Sequence, residues 1–228
     1  MIVSVHLADV GLRAAPGVLR RRPRPSEVSG LLYAETTITA PLSKGLLPSP
    51  RPGRVGLIAA WEDDGALDEF SANNPLAERL AGGWHVRLEP LRVYGAWSGM
   101  PDLPTQERPV ADEESVAVLT LGQLRYRRAV PFLRASARAE GEAVADPVLV
   151  ASTGLARPPL FATFSLWRGA AGMRDYARRS GGAHLAATRA HAAKPFHRES
   201  AFIRFRPYAS QGSWGGRDLL AATPTATN

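Results

Sequence analysis

The chain of 228 residues contains no cysteine. Disulfides, iron–sulfur clusters, thiolate-bound haem and cysteine-containing zinc sites are therefore excluded by chemistry. Any bound metal must be held by histidine, carboxylate or tyrosine, and the sequence offers five histidines. Long hydrophobic runs are also missing, because stretches such as residues 55–60 are far shorter than the roughly 20 residues of a membrane-spanning helix.

Targeting and nucleotide-binding motifs are absent as well. The first ten residues, MIVSVHLADV, lack the basic start and long apolar core of a signal peptide, so we expect a cytoplasmic protein without a membrane span. The sequence contains no GxGxxG fingerprint, Walker A motif, HExxH motif or GxSxG nucleophile elbow. Nucleotide binding by a glycine-rich loop and esterase chemistry are therefore disfavoured.

Positive charge is present in excess and is concentrated near the start of the chain. The formal net charge is +7. Between Arg13 and Arg54, eight basic residues face only Glu27 and Glu35. The run LRRRPRP at residues 19–25 has no interleaved aromatic residues and is interrupted by prolines, which disfavours nucleic-acid binding. It is either a solvated loop or a docking patch for an acidic electron-transfer partner or another polyanion.

One short phrase occurs twice, as GAWSGMPDL at residues 95–103 and as GSWGGRDLL at residues 212–220. The segments before it also correspond, because RVGLIAAWEDDGALDEF at 54–70 matches PLFATFSLWRGAAGMRDY at 159–176. In both copies an apolar, strand-like run ends in tryptophan and a helix follows. The full order in each copy predicts β-α-β-β-α-β, although prolines make the first helix of the first copy a poor one.

This order predicts an α+β protein built from two tandem ferredoxin-like units, packed as an α+β barrel with a cavity between sheet and helices. The expected boundaries are residues 1–104 for the first unit, 105–114 for a linker, 115–220 for the second unit and 221–228 for a flexible tail. The tryptophans are expected to anchor the core at equivalent positions of the two units, Trp61 with Trp167 and Trp97 with Trp214.

The second copy is longer than the first, and its surplus residues fall at 178–193. An insertion in one half of a symmetric pair is a natural place for a function that the other half lacks. His184 and His191 lie in it, seven residues apart on a predicted alanine-rich helix, so that both face the same side. Such a pair is either a polar helix face or a ligand site. His197 opens the last predicted strand.

Several motifs of this chain together resemble the spheroidene monooxygenase family of carotenoid-modifying oxygenases. Most of them lie in the second half, and one lies in the first. The motifs are Phe164-Ser165-Leu166-Trp167, Tyr176-Ala177, Gly182-Ala183-His184, the strand from Glu199 to Phe205, Trp214-Gly215-Gly216 and Trp97-Ser98-Gly99.

The resemblance implies a haem-dependent monooxygenase of the dimeric α+β barrel type, with a hydrophobic or biosynthetic small molecule as substrate and a ferredoxin-type electron donor. It places the axial ligand of haem b iron at His184, while His191 and His197 become candidates for the acid or base on the opposite side. A haem site needs cationic side chains to pair with the propionates and an apolar wall to pack against the ring. The candidates near this region of the sequence are Arg178, Arg179, Arg189, Arg204 and Phe164.

Two other functions stay open at the level of the sequence. One is a haem enzyme with aldoxime-dehydratase-like chemistry, which would turn over without a reductant. The other is a non-catalytic module of ferredoxin-like fold, with or without haem. A homodimer is compatible with the sequence, which does not set the oligomeric state.

Overall fold

The computed structural model describes residues 1–41, 51–100, 102–179 and 181–221, with the backbone alone for residues 184, 191 and 192. The strands and helices follow one another in two similar series. The first series is β1 (Ile2–Asp9), α1 (Gly11–Arg20), β2 (Leu31–Ala40), β3 (Arg54–Trp61), α2 (Asp64–Asn73), α3 (Pro75–Leu80) and β4 (Trp84–Gly95). The second is β5 (Val116–Leu124), a 3-10 turn (Tyr126–Arg128), α4 (Ala129–Val144), β6 (Leu149–Arg157), β7 (Leu160–Trp167), α5 (Ala170–Arg178), α6 (Ala183–Ala193) and β8 (His197–Gly212).

The eight strands form a closed antiparallel barrel in the order β1-β3-β2-β6-β7-β5-β8-β4. The two halves of the chain meet where β4 pairs with β8 and where β2 pairs with β6. The first contact is long, running from Trp84 opposite Gly212 to Gly95 opposite Ala201. The second covers the three residues 38–40 of β2. The predicted α+β class and the barrel are thus confirmed.

The interior of the barrel is filled by side chains. Successive residues of a strand point to opposite faces, and most inward residues of this barrel form one apolar cluster. Glu35 of β2 and Thr153 of β6 are buried polar residues on the same face, opposite Ile58 and Phe164. Its bulkiest members, Trp84, Phe164 and Phe205, are fully buried. The middle of the barrel is therefore filled. Space for a ligand lies at the end of the barrel, in a cavity lined by Leu7, Phe164 and Trp214, or between the strands and the helices that cover them.

The repeated tryptophan turns close the two ends of the barrel. After β4, the turn carries Trp97 and Met100 into the interior cluster. After β8, Leu219 enters the same cluster from the opposite end, and Asp218 holds the turn by accepting hydrogen bonds from the Trp84 indole at 3.0 Å and the Ser210 hydroxyl at 2.7 Å. The two copies of the repeated sequence therefore form turns whose apolar side chains cover the two ends of the barrel.

Helix α1 forms although the sequence predicts a poor helix, and it contains Pro16. The prediction of a poor helix is wrong here, because tertiary packing contributes more to the stability of a short helix than intrinsic helix propensity does. Ala15 and Val18 are buried against the outer face of β2 and β3, while Leu12 on the opposite side is exposed.

Trp61 and Trp167 each end a strand and pack on an aromatic ring of the helix that follows. Trp61 lies 4.9 Å from Phe70, and Trp167 lies 4.9 Å from Tyr176, measured between ring centroids. Their indole N–H groups donate to serine hydroxyls at 2.9 Å. Both tryptophans therefore anchor a helix layer, as the sequence indicates.

Below pH 6.5 the protein is expected to lose stability through His6. Burial, with the nearby His85 ring and Arg87 guanidinium, lowers the pKa of His6 to about 3. In the unfolded chain the pKa is ordinary, so the unfolded state binds the additional proton between pH 6.5 and 3. Stability should fall by about 2 kcal/mol between pH 7 and pH 5 from this group. In urea unfolding at the two pH values, His6→Asn should show a smaller fall, whereas an equal fall would show that His6 is not responsible.

Candidate functional site

The helix-facing side of the sheet differs between the two halves of the chain. In the first half, outward residues of β3 such as Val55, Leu57 and Ala59 are at most 1% exposed beneath α1, α2 and α3. In the second half, the corresponding residues of β7, namely Phe161, Thr163 and Ser165, are half-buried. The second layer is thus more open and more polar than the first.

The buried cluster on the helix side of the second half lies at one end of the sheet. It joins Val116, Val118 and Trp167 to Met173 and Tyr176 of α5. Thr120, Gly122, Thr163 and Phe161 lie farther along the same face and do not belong to it. We call the space between this part of the sheet and helices α4 and α6 the helix-side cleft.

A β-bulge turns His197 towards the helix-side cleft. On β8, Ala201, Ile203 and Phe205 point into the barrel, and regular alternation would direct His197 the same way. The pairing of β5 with β8 shifts between Gly122 and Leu124, so that His197 lies opposite Leu124. A bulge of this kind reverses the face on which the next side chains lie.

Gly122 leaves the room that the His197 ring occupies. A Cβ atom on Gly122 would lie 2.6 Å from both Cδ2 and Nε2 of His197, closer than real Cβ contacts allow. On its other side the ring meets Phe132 of α4, with centroids 4.9 Å apart, and Phe132 in turn contacts Phe161 at 5.8 Å. The imidazole is therefore wedged between strand β5 and helix α4.

Two arginines fix the chain segment that carries His197. Arg125 donates from Nε to the His197 carbonyl oxygen at 3.0 Å, and its backbone N–H donates to the Phe196 carbonyl at 2.9 Å. The Arg128 guanidinium lies over the Phe196 ring, 5.6 Å from its centroid. Cationic groups therefore lie at the edge of the helix-side cleft.

Helix α6 contains His184 and His191, whose side chains lie outside the described part of the structure. The helix begins after Gly182, and its first N–H, from Ala183, donates to the Glu142 carboxylate of α4 at 2.7 Å. Tyr176 of α5 donates its hydroxyl to the Ala139 carbonyl at 2.9 Å. These bonds hold α5 and α6 against α4 and place the predicted histidine helix in the layer that contains the cleft.

Two of the four predicted propionate partners are paired with carboxylates of the protein. Arg204 is buried and lies 2.8 Å from Glu107, in the segment that joins the two halves. Arg179 lies 2.8 Å from Asp146. Arg178 and Arg189 are exposed on α5 and α6. Two other arginines, Arg125 and Arg128, contact the segment that carries His197.

Phe164 was predicted as an apolar wall for the cofactor, and the structure places it on the other side of the sheet. It points into the barrel, where it is 1% exposed and lies 6.2 Å from Trp84 between ring centroids. Phe161, three residues earlier, is on the helix-facing side and contacts Phe132. Side chains alternate between the two faces of a strand, so Phe161 and Phe164 must lie on opposite faces. Which of them faces the helices can be predicted only when the face of one β7 residue is known.

Glu199 ties the Trp97-Ser98-Gly99 turn of the first half to the strand that carries His197. Its carboxylate accepts from the Ser98 backbone N–H, from the Ser98 hydroxyl at 3.2 Å and from Gln123 at 3.3 Å. Sequence reasoning noted Glu199 as part of a motif without a role, and missed Gly122 and Phe132. Their contribution depends on contacts between distant strands, which a sequence pattern does not reveal.

Within the described ranges, no three side chains among His, Asp and Glu are grouped so that they could share one metal ion. A haem iron differs from such a site because one axial imidazole from the protein is enough to hold it. Among the described helices, none combines the length and the apolarity needed to cross a bilayer.

Comparison with known proteins agrees with the motifs. No family model matches the chain. A spheroidene monooxygenase from Rhodobacter capsulatus is 29% identical over 212 residues, covering 90% of this chain and 87% of the relative. One from Rubrivivax gelatinosus is 31% identical over 179 residues, covering 76% of this chain and 67% of the relative.

Among solved structures, an aldoxime dehydratase matches with a TM-score of 0.56 at 7% identity, covering 99% of this chain and 89% of that one. At this identity the match is evidence for the fold alone. The curated relatives carry the family assignment, and they confirm the resemblance that the sequence motifs indicate. The chain belongs to the spheroidene monooxygenase family.

Proposed function

We propose that this protein is a haem-dependent monooxygenase that acts on an apolar polyene of the carotenoid type. The observation that carries the proposal is the helix-side cleft, an open layer in the second half where the first half is tightly packed. A bulge directs His197 into this cleft, and α6 with its two histidines lies in the same layer. The names of the relatives support an oxygenase reaction on a carotenoid.

The residues around the cleft fit haem in their chemistry. Haem is a flat apolar ring with two carboxylates, and it needs an axial ligand, apolar walls and cations. Phe132 and Phe161 supply apolar walls, while Arg125 and Arg128 supply cations at the edge. Thr163 has a small side chain on the strand surface, and the chain has no cysteine that could replace histidine as ligand.

Haem bound here would supply the iron centre at which molecular oxygen is reduced and activated. His184 on α6 would hold the iron, because that residue matches the family motif. His197, held by Phe132 and Gly122, would donate or accept a proton at its imidazole on the substrate side. The aromatic side chains around it would exclude water from the reacting groups.

The proposal includes an external ferredoxin-type electron donor. A monooxygenase transfers one oxygen atom to the substrate and reduces the other to water, which consumes two electrons and two protons. The sequence carries none of the usual glycine-rich fingerprints for a nicotinamide or flavin dinucleotide, so the electrons would come from outside the chain.

The two halves are proposed to be tandem ferredoxin-like units, with the second specialised for the cofactor. The strand order supports this, because β4-β1-β3-β2 in the first half corresponds to β8-β5-β7-β6 in the second. The position of α3 in the first half is taken by the longer α6 in the second. The surplus residues of the sequence thus coincide with the helix that carries His184.

Isotope labelling tests the proposed reaction. With haemin, a reducing system and spheroidene in detergent micelles, the product made under ¹⁸O₂ should contain one labelled oxygen atom, and omission of either haemin or reductant should abolish turnover. Conversion of an aldoxime to a nitrile without any reductant would instead favour the dehydratase-like alternative. The absence of both reactions in haem-loaded protein would favour a non-catalytic module.

A further inference from the structure

One exposed face of α4 and the preceding 3-10 turn is basic and apolar at the same time. Arg127, Val130, Pro131, Arg134 and Arg138 are all exposed, and their spacing of three or four residues places them along one side of the helix. Tyr126, next to them in sequence, is 65% exposed, and Val130 is 54% exposed. We call these six residues the α4 face.

The arginines of the α4 face form no salt bridge in the described part of the structure. Residues 115–139 contain no Asp or Glu. Within the described ranges, no carboxylate lies within salt-bridge distance of Arg127, Arg134 or Arg138, whereas Arg92, Arg204 and Arg206 near the β4–β8 contact are all paired. Glu142, four residues after Arg138, is the acidic residue at the end of this stripe, and its carboxylate accepts from the Ala183 N–H. The α4 face therefore carries a net positive charge.

The α4 face lies beside the helix-side cleft. Arg125, one residue before Tyr126, bonds to the His197 carbonyl, and Arg128 covers the Phe196 ring. Phe132, on the other side of the same helix, contacts His197 itself. A surface that binds the α4 face would therefore meet the protein next to the place where we put the substrate.

We propose that the α4 face binds an anionic lipid surface, from which the enzyme takes its substrate. The inference rests on the proposed function, because an apolar polyene dissolves in lipid and not in water. An enzyme that binds the membrane surface would meet such a substrate there. Arginines attract anionic headgroups, and an exposed tyrosine and valine among them are suited to the boundary between headgroups and acyl chains.

An acidic protein is the main alternative occupant of this face. The exposed Tyr126 and Val130 favour lipid, because Val130 lies between Arg127 and Arg134 and Tyr126 lies next to Arg127, so that apolar area adjoins the charges. The arginine stripe also follows a helix axis, so that all three guanidinium groups can reach one flat surface together.

Vesicle sedimentation tests the proposal with purified protein. Wild-type protein should bind vesicles of phosphatidylglycerol and phosphatidylcholine, and should bind pure phosphatidylcholine much more weakly. Arg127→Gln/Arg134→Gln/Arg138→Gln should lower the affinity for anionic vesicles by about 100-fold, since each arginine near such a surface contributes about fivefold. Arg13→Gln/Arg20→Gln/Arg21→Gln removes the same charge from exposed positions on and beside α1 and should change the affinity less than about threefold.

Equal losses in the two triple variants, or no binding of wild-type protein to anionic vesicles, would overturn the proposal. If vesicles do not bind while the α4 variant loses only reductant-coupled turnover, the face serves an acidic donor protein instead. Each sample is also measured with haemin, and its Soret band reports on the cofactor site. Wild-type protein that shows the Soret band but does not bind anionic vesicles would contradict the lipid inference and leave the proposed function standing.

Discussion

Replacing His184 with alanine is expected to remove stable haem binding and the histidine-ligated absorption spectrum. Loss of a residue that supports a metal ligand commonly lowers metal affinity by about 10- to 100-fold, so loss of the axial ligand itself should exceed about 100-fold. His184 is the second residue of α6, whose first N–H is held by Glu142 of α4. The helix should therefore stay in place in the variant, and far-ultraviolet circular dichroism should be unchanged.

His191 and His197 provide matched controls for this substitution. His191 lies seven residues farther along the same helix, about 10 Å away, which is too far to bind the same iron from the same side. His191→Ala should therefore keep the Soret band. His197→Ala should keep the band and lose turnover, because the proposed role of His197 is proton transfer. A variant of His197 that loses the band while His184→Ala retains it would reverse the assignment.

Filling the helix-side cleft is the second substitution with a large expected effect. Thr163 lies on the helix-facing side of β7 between Phe161 and Ser165, and all three are half-buried. Thr163→Phe should occupy the space that we assign to haem and lower haemin affinity by more than about tenfold. Because the layer is open, the free energy of unfolding of the haem-free protein should change by less than about 1 kcal/mol.

The corresponding position of the first half gives the opposite result. Leu57 pairs with His6 on β1 as Thr163 pairs with Thr120 on β5, and Leu57 is 1% exposed. Leu57→Phe should overpack a closed layer and lower the free energy of unfolding by about 1–3 kcal/mol, with haemin affinity unchanged. Unimpaired haemin binding by Thr163→Phe would show that the cofactor lies elsewhere.

Much of the architecture could be predicted from the sequence because it depends on local patterns. The repeated order of apolar runs and turns gave the strands, the α+β class and the barrel, and β8 begins at His197 as its motif suggested. The first helix was underestimated, since Pro16 is visible in the sequence while the packing of Ala15 and Val18 against the sheet is not.

The site was harder to predict, because its side chains are positioned by contacts between distant elements. The β-bulge opposite Leu124 determines the face of the sheet on which His197 lies. The position of this bulge cannot be predicted from the residue pattern. The sequence makes Arg204 a candidate partner for a haem propionate. In the structure, Arg204 forms a salt bridge of 2.8 Å with Glu107, which lies in the segment between the two halves. Arg22 of the LRRRPRP run similarly lies 3.4 Å from Glu35, so a docking role for that run stays a prediction for Arg20 and Arg21.

The central claim is that the second half of this barrel holds one haem through a histidine. The most direct measurement is the visible absorption spectrum of the purified protein after addition of haemin and removal of the excess by gel filtration. The account predicts a Soret band with about one haem retained per chain. A protein that stays folded, emerges without haem and shows no Soret band would contradict it.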